Sequence, residues 1–464
     1  MLRKLLFAPT ALPLALATAV AQVIAPTAPP SSRVDYALTN VRIVVSPGKV
    51  IDRGTVLTRD GRIAAVGANV TIPPGVVKMD LPGHTVYAGL IDAATSIGLP
   101  SPTRALPPAP DPAAAAAAGR GGRGGRGGAQ GIPVAGRGAP PEPPVVLPEV
   151  DAWAQAADQF SPTDAQLRAF RAGGVTTVGL IYDGGIFPGR TGVALTAARA
   201  AGELTLRADA GQEVAFGVKR GGAYPGTGIG TIAFIRQAYL DAQYESRVDK
   251  AFKAGTPGGR PAADPFRRAL MPAATNEMTS FFVASTERQL TRVVEIAKEM
   301  ALKSPVVVGT QEGWRVIPAL KSAGATALVS LQWPSADSIT GRSFLAVGMG
   351  KTGVAPPATP ADINEVHANA AALTKAGIPV ALTSFGGESG TTFRDRIRAT
   401  IEAGMSPDDA LKAVTVTPAA VLGVSAAVGT IEVGKLANLV VVSGNDLFAA
   451  ANPIKHVIIE GRLY

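Results

Sequence analysis

The feature that most constrains this fold is a change of rhythm along the chain. Near both ends, apolar residues come in short alternating runs: Leu38–Val45, Gly54–Thr58 and Arg62–Val66 on one side, Gly429–Ile431, Leu439–Val442 and Val457–Ile459 on the other. A period of two marks half-buried strands, and the Asp-Gly pair of Arg59-Asp60-Gly61 favours a tight hairpin. Between the ends the period switches. Met278–Val283 is strand-like, Glu287–Leu302 helical, Pro305–Val308 strand-like, Trp314–Ser322 helical and Ala325–Leu331 strand-like. Ala165–Gly173 with Val175–Ile181, and Asn364–Ala376 with Pro379–Thr383, repeat the pairing. This alternation predicts βα units on a parallel sheet, while two distant sets of short strands can complete one small β-domain. A helix is expected over Pro407–Val416, with Ser406 as its cap, Pro407 at its first position and Asp409 three residues after the cap.

Composition agrees with a sheet covered by helices. Hydrophobic residues make up 47% of the 464 positions and aromatics only 5%, so the core is built from Ala, Val, Ile and Leu. The absence of cysteine excludes disulfides, thiolate metal sites and a cysteine nucleophile. Arg3 and Lys4 precede an apolar run from Leu5 to Val20 that closes on Ala19-Val20-Ala21, the layout of a cleaved secretory signal over residues 1–21. Export to a periplasm or beyond the cell is therefore expected, with a Pro- and Ser-rich leader over 22–35. No later segment approaches the ~20 uninterrupted apolar residues of a membrane span. The formal charge of +9 shrinks once Arg3 and Lys4 leave and Arg120, Arg123, Arg126 and Arg137 are assigned to one low-complexity stretch. A nucleic-acid partner is not expected. That stretch, residues 104–147, reads as a disordered insert because it has too little apolar surface to bury. The Gly-, Pro- and Lys/Arg-rich segment 218–277 reads as a cover over one end of the fold.

Two longer motifs carry a resemblance. Leu81-Pro82-Gly83-His84-Thr85-Val86-Tyr87-Ala88-Gly89-Leu90-Ile91-Asp92 resembles the opening of the barrel in the metal-dependent amidohydrolase superfamily. Ile401-Glu402-Ala403-Gly404-Met405-Ser406-Pro407-Asp408-Asp409-Ala410-Leu411, Val414-Thr415-Val416-Thr417-Pro418-Ala419 and the run from Gly429 to Val440 are similar to that family's final helices and its return to the β-domain. The resemblance, nearest to the imidazolonepropionase-like branch, implies an α/β fold: a (β/α)₈ TIM-type barrel over 83–428 and a β-sandwich from 36–82 and 429–464. It also implies hydrolysis of non-peptide C–N bonds by one or two divalent ions, typically zinc, that activate a bound water. In the family those ions are held by a His-x-His pair after the first strand, often by a modified lysine or a glutamate after the fourth, by histidines after the fifth and sixth and by an aspartate after the eighth.

Carried across residue by residue, the ligand positions are substituted. The His-x-His pair falls on Ala94 and Ser96; the fifth strand, Pro305–Val308, ends on Gly309; the sixth, Ala325–Leu331, offers Ser330 or Leu331; and the eighth runs into Phe385. Alanine, glycine and phenylalanine cannot coordinate zinc, and a neutral serine hydroxyl is a poor ligand. Only His84, His367 and His456 exist in the chain, none spaced as a pair. No resident cofactor is expected, although zinc or another divalent ion would be expected of the family.

Polar residues nonetheless remain at strand ends, where this fold places its pocket. The candidates are Asp92, Asp183, Glu312 and Glu388 for catalysis, and Arg190 and Trp333 for ligand contact. Asp92 has a structural alternative in capping local backbone, and Glu312 one in facing a helix N-terminus. Arg190 lies in a glycine-rich segment, 184–192, that lacks the Gly-Lys-Ser/Thr ending of a phosphate loop. No Gly-x-Ser-x-Gly elbow occurs. Two functions follow: a non-catalytic barrel that binds a small molecule, self-associates or pairs with an active amidohydrolase, or an active C–N hydrolase with a non-standard site.

Overall fold

The structure is a computed structural model describing residues 34–100, 150–217, 225–255, 264–333, 360–386 and 391–464. The chain opens with β1 (Tyr36–Ser46), β2 (Lys49–Arg59), β3 (Arg62–Gly67), β4 (Val77–Asp80) and β5 (His84–Ala88). Strands β1 and β2 form an antiparallel ladder, and β3 follows through the Asp60-Gly61 turn, where both residues have positive φ. On its other edge β1 pairs in parallel first with β4, Tyr36 opposite Val77, and then with β5, Arg42 opposite Thr85.

The barrel sheet follows: β6 (Leu90–Thr95), β7 (Val175–Leu180), β8 (Arg190–Leu195), β9 (Thr205–Ala215), β10 (Ser280–Val283), β11 (Val306–Val308), β12 (Thr326–Ser330) and β13 (Val380–Thr383), paired in that order as an eight-stranded sheet. The sheet curls until β13 lies against β6. Between and after these strands run α1 (Ala156–Gln159), α2 (Asp164–Ala172), α3 (Gly228–Lys253), α4 (Pro265–Ala274), α5 (Glu287–Glu299), α6 (Ile317–Ser322), α7 (Pro360–Lys375), α8 (Thr391–Glu402), α9 (Pro407–Ala413) and α10 (Val416–Val421). Leu90, Val178, Val193, Val214, Phe281, Val307, Leu328 and Ala381, one per strand, are all fully or almost fully buried, the continuous burial that a strand covered on both faces requires. No helix among the described residues is long and apolar enough to cross a membrane.

The chain then returns to the first sheet with β14 (Leu439–Ser443), β15 (Ile454–Ile459) and β16 (Arg462–Leu463). Strand β14 joins the free edge of β5, Leu439 opposite Ala88, so one sheet is closed by both chain ends. Its core holds Leu38, Ile43 and Val86 from one end with Leu439 and Ile458 from the other.

Several expectations need correction. Strand β5 belongs to the terminal sheet, although residues from 83 onward were expected in the barrel. Gly429–Ile431 is not a strand; Ile431 reaches that sheet only through its N–H to the Val45 carbonyl, 2.9 Å away. The segment 218–277 contains α3 and α4, whose packed faces include Phe234, Ile235, Tyr239 and Leu270. Gly228 and Gly230 fall in the first turn of α3, Pro265 is the first residue of α4 and Pro272 lies inside it. The parallel rhythm breaks at β8, which runs antiparallel to both neighbours. Moreover β12 pairs directly with β13. Counted along the sheet, β11 and β12 are therefore sixth and seventh, and they are fifth and sixth only when the reversed strand is skipped. Residues 104–147 and 1–33 lie outside the described residues.

Candidate functional site

The β6–β13 seam is built around Asp92, which has no solvent exposure. Its Oδ1 accepts the N–H of Ser384 at 2.9 Å and that of Ala94 at 3.4 Å, and the Ser384 hydroxyl donates to Oδ2. Beside it the Thr383 hydroxyl donates to the Ala94 carbonyl and accepts the Phe385 N–H at 3.0 Å. Burial pushes the Asp92 carboxyl up to about 6, against the opposing pull of its hydrogen bonds to Ser384, Thr383 and Ala94. The backbone-capping role expected of Asp92 is what its contacts describe: it fastens the last barrel strand to the first.

The neighbouring strand ends are equally occupied. The Ser330 hydroxyl donates to the Phe385 carbonyl at 2.8 Å and accepts the Gln332 N–H at 3.1 Å, while Gln311 Nε2 donates to the Gln332 carbonyl at 2.8 Å. Gly309 sits at φ +80°, so backbone conformation favours glycine there, although a Cβ would make only ordinary contact with the Phe385 ring at 3.4 Å. Trp333 packs against His367 of α7 with ring centroids 4.1 Å apart and ring planes tilted by 38°, and its Nε1 is buried without a partner among the described residues. Burial, reinforced by the Arg396 cation, holds the His367 imidazole below its ordinary value.

The other candidates scatter. Asp183 is exposed beyond β7. Glu312 precedes a short 3-10 helix, Gly313–Val316, without capping it; its Oε2 instead accepts the Glu287 N–H at 2.6 Å, at the first residue of α5. Arg190 opens β8 and reaches toward the carbonyl of Ala269 in α4 at 3.4 Å, outside the barrel wall, not into a pocket. Residues 184–189 are loop as expected, and only Arg190–Gly192 of that segment join β8. Glu388 lies outside the described residues.

One inward residue escaped the sequence reading. Glu213 of β9 is fully buried, and its Oε2 accepts the Tyr182 N–H at 2.9 Å. Burial drives its carboxyl well above the usual range, with the Asp183 charge adding to the effect. Its signal in the sequence is a carboxylate directly before the apolar run Val214-Ala215-Phe216, whose first two residues end β9.

Residues 325–464 match the model of the amidohydrolase family. Over that segment, less than a third of the chain, the sequence is similar to that family. No curated protein matches it. Among solved structures it is similar to an amidohydrolase from Thermotoga maritima, with 21% identity, a TM-score of 0.68, and coverage of 92% of this chain and 99% of that one. It is also similar to a putative prolidase from Bifidobacterium longum, with 17% identity, a TM-score of 0.52 and coverage of 93% and 95%. A molinate hydrolase matches at 17% identity and a TM-score of 0.51, covering 93% and 94%. These likenesses carry the fold.

The three histidines of the chain lie apart. His84 lies on β5 and His456 on β15, both in the terminal sheet, which leaves only His367 to the barrel. Among the described residues no group of three or more His, Asp or Glu side chains could hold an ion.

Proposed function

We propose that this chain is an exported amidohydrolase-fold protein whose barrel mouth binds a small molecule without performing metal-dependent C–N hydrolysis. The observation that carries this reading is the placement of its three histidines, two of them in the terminal sheet. Further support comes from the seam. Both Asp92 oxygens are engaged by Ser384, and Ala94 beside it offers only a methyl group. A metal-activated water needs several anionic or imidazole ligands to hold the ion. Elemental analysis after exhaustive dialysis tests the reading: zinc far below one ion per chain is expected, and one or two ions retained per chain overturns it.

Hydrolysis through a non-standard site gains little from Glu312, whose carboxylate is spent on the Glu287 N–H. Because prolidases and a molinate hydrolase share this shape, an Xaa-Pro dipeptide and molinate belong in the substrate panel beside simple amides and lactams. Turnover of any of them that survives chelation and is lost on replacing Asp183 or Glu388 would establish the active reading instead. Export is tested by N-terminal sequencing of the protein recovered from outside the cytoplasm, which should begin at Gln22.

A further inference from the structure

A helix packed on one side needs one apolar stripe, and α3 carries two. Phe234, Tyr239 and Ala242 face the core and are buried. On the other side Ile229 keeps 83% of its surface exposed, Tyr244 61% and Leu240 46%; with Phe252 they make half of the large apolar side chains exposed among the described residues. The outer stripe is an ordered row. Ile229, Ala233, Arg236, Leu240, Tyr244, Arg247 and Ala251 follow at steps of 4, 3, 4, 4, 3 and 4, the spacing of one helix face. That series of steps is the same read from either end. An identical helix laid antiparallel, with Leu240 on the twofold axis, therefore meets it in register. The side chains match as well as the spacing. Leu240 meets its own copy, Ile229 lies opposite the partner's Ala251, and the Arg247 stem crosses the small partner's Ala233. At roughly 100° per residue Arg236 and Tyr244 lie about 40° to either side of Leu240, and the twofold turns opposite sides into the same side, so Arg236 faces the partner's Tyr244. Glu299 holds the Arg236 guanidinium at 2.6 Å, and the Tyr244 ring already takes one guanidinium, that of Arg247, at 5.8 Å from its centroid.

We propose that the outer face of α3 is a self-association surface, on which two copies of this chain pair antiparallel about a twofold axis at Leu240. Apolar contact at the centre supplies the attraction, and an arginine over a tyrosine ring on each side fixes the register. The area sets the strength. The 26 residues of α3 make a helix about 39 Å long. A strip of that length and a helix's ~10 Å width covers on the order of 400 Å² per copy, roughly half of the ~800 Å² per partner in a standard interface. The dimer is therefore weak and reversible, with a Kd on the order of 10 µM. The pairing does not rest on the reading of the barrel mouth.

Sedimentation equilibrium of the full chain, from about 1 to 500 µM, should show a reversible monomer–dimer step, and Leu240→Glu should weaken it by at least about tenfold. The register has its own test, because the chain contains no cysteine. Under oxidation Leu240→Cys should form a covalent dimer with itself. Ala233→Cys alone should not, since its two copies would lie roughly 21 Å apart along the axis, beyond the ~7 Å that a disulfide spans. An equal mixture of Ala233→Cys and Arg247→Cys should crosslink. If Leu240→Glu does not fold, these crosslinks, made at exposed positions of the row, decide. A monomer at every concentration overturns the proposal, and so does a dimer indifferent to Leu240→Glu. Crosslinking by Ala233→Cys alone, without crosslinking by Leu240→Cys, overturns it in favour of another arrangement.

Discussion

At the scale of single residues, Asp92 shows how a carboxylate becomes a fastener. Its native value of about 6 stands above the ordinary 3.8, so the folded state holds the proton more tightly than the unfolded one. Stability from this group is thus full below about pH 4, falls as pH rises, and is lost above about 6, on the order of 3 kcal/mol in all. Denaturation in urea from pH 4 to 7 should show that decline, and Asp92→Asn, whose amide oxygen can still accept the Ser384 N–H, should flatten it. A variant with unchanged slope would show that the burial penalty lies elsewhere. Asp92 was legible because the Gly-Leu-Ile-Asp run announces the first barrel strand, β6. Glu213 was not, because nothing in Gly211-Gln212-Glu213-Val214 says which face each residue takes until β10 fixes the register. Arg190 was misplaced for the related reason that glycines on both sides of it read as a loop, whereas strand pairing with Gln212 holds it in β8.

Among elements, capping was the most legible signal. Thr286 accepts the Gln289 N–H at 3.4 Å, and the Gln289 side chain accepts the Thr286 N–H at 3.3 Å, closing a capping box on α5. Replacing Thr286 with Ala should cost about 1 kcal/mol, measured as a lowered urea midpoint with an unchanged slope. Ser406 likewise caps α9 as expected, though the helix stops at Ala413 and resumes as α10. The reversed strand was illegible, since alternation reports burial and not direction. What secures its approach is Phe187, fully buried with its ring centroid 5.3 Å from Phe266 and 6.0 Å from Phe234. Phe187→Ala should cost about 3–5 kcal/mol, measured as a lowered thermal midpoint. Unchanged thermal midpoint would mean that α3 and α4 pack independently of that segment.

Across the whole molecule, the terminal sheet and barrel are tied together at Tyr464. Its hydroxyl accepts the Ala198 N–H at 3.0 Å, the Arg171 guanidinium sits 4.6 Å from its ring centroid, and Glu460 pairs with Arg199. Removing residues 454–464 takes away β15, β16 and these ties, so the shortened chain should lose cooperative thermal unfolding and soluble yield; a sharp transition near the full-length midpoint would show that the barrel stands alone. The same sheet has a consequence for synthesis. Strand β5 leaves the ribosome hundreds of residues before β14, so the nascent chain carries an open, hydrogen-bonding edge through most of translation. Holding that edge away from other chains until the last segment emerges is work for a chaperone, and the slowest step of folding should be the late arrival of β14 beside it.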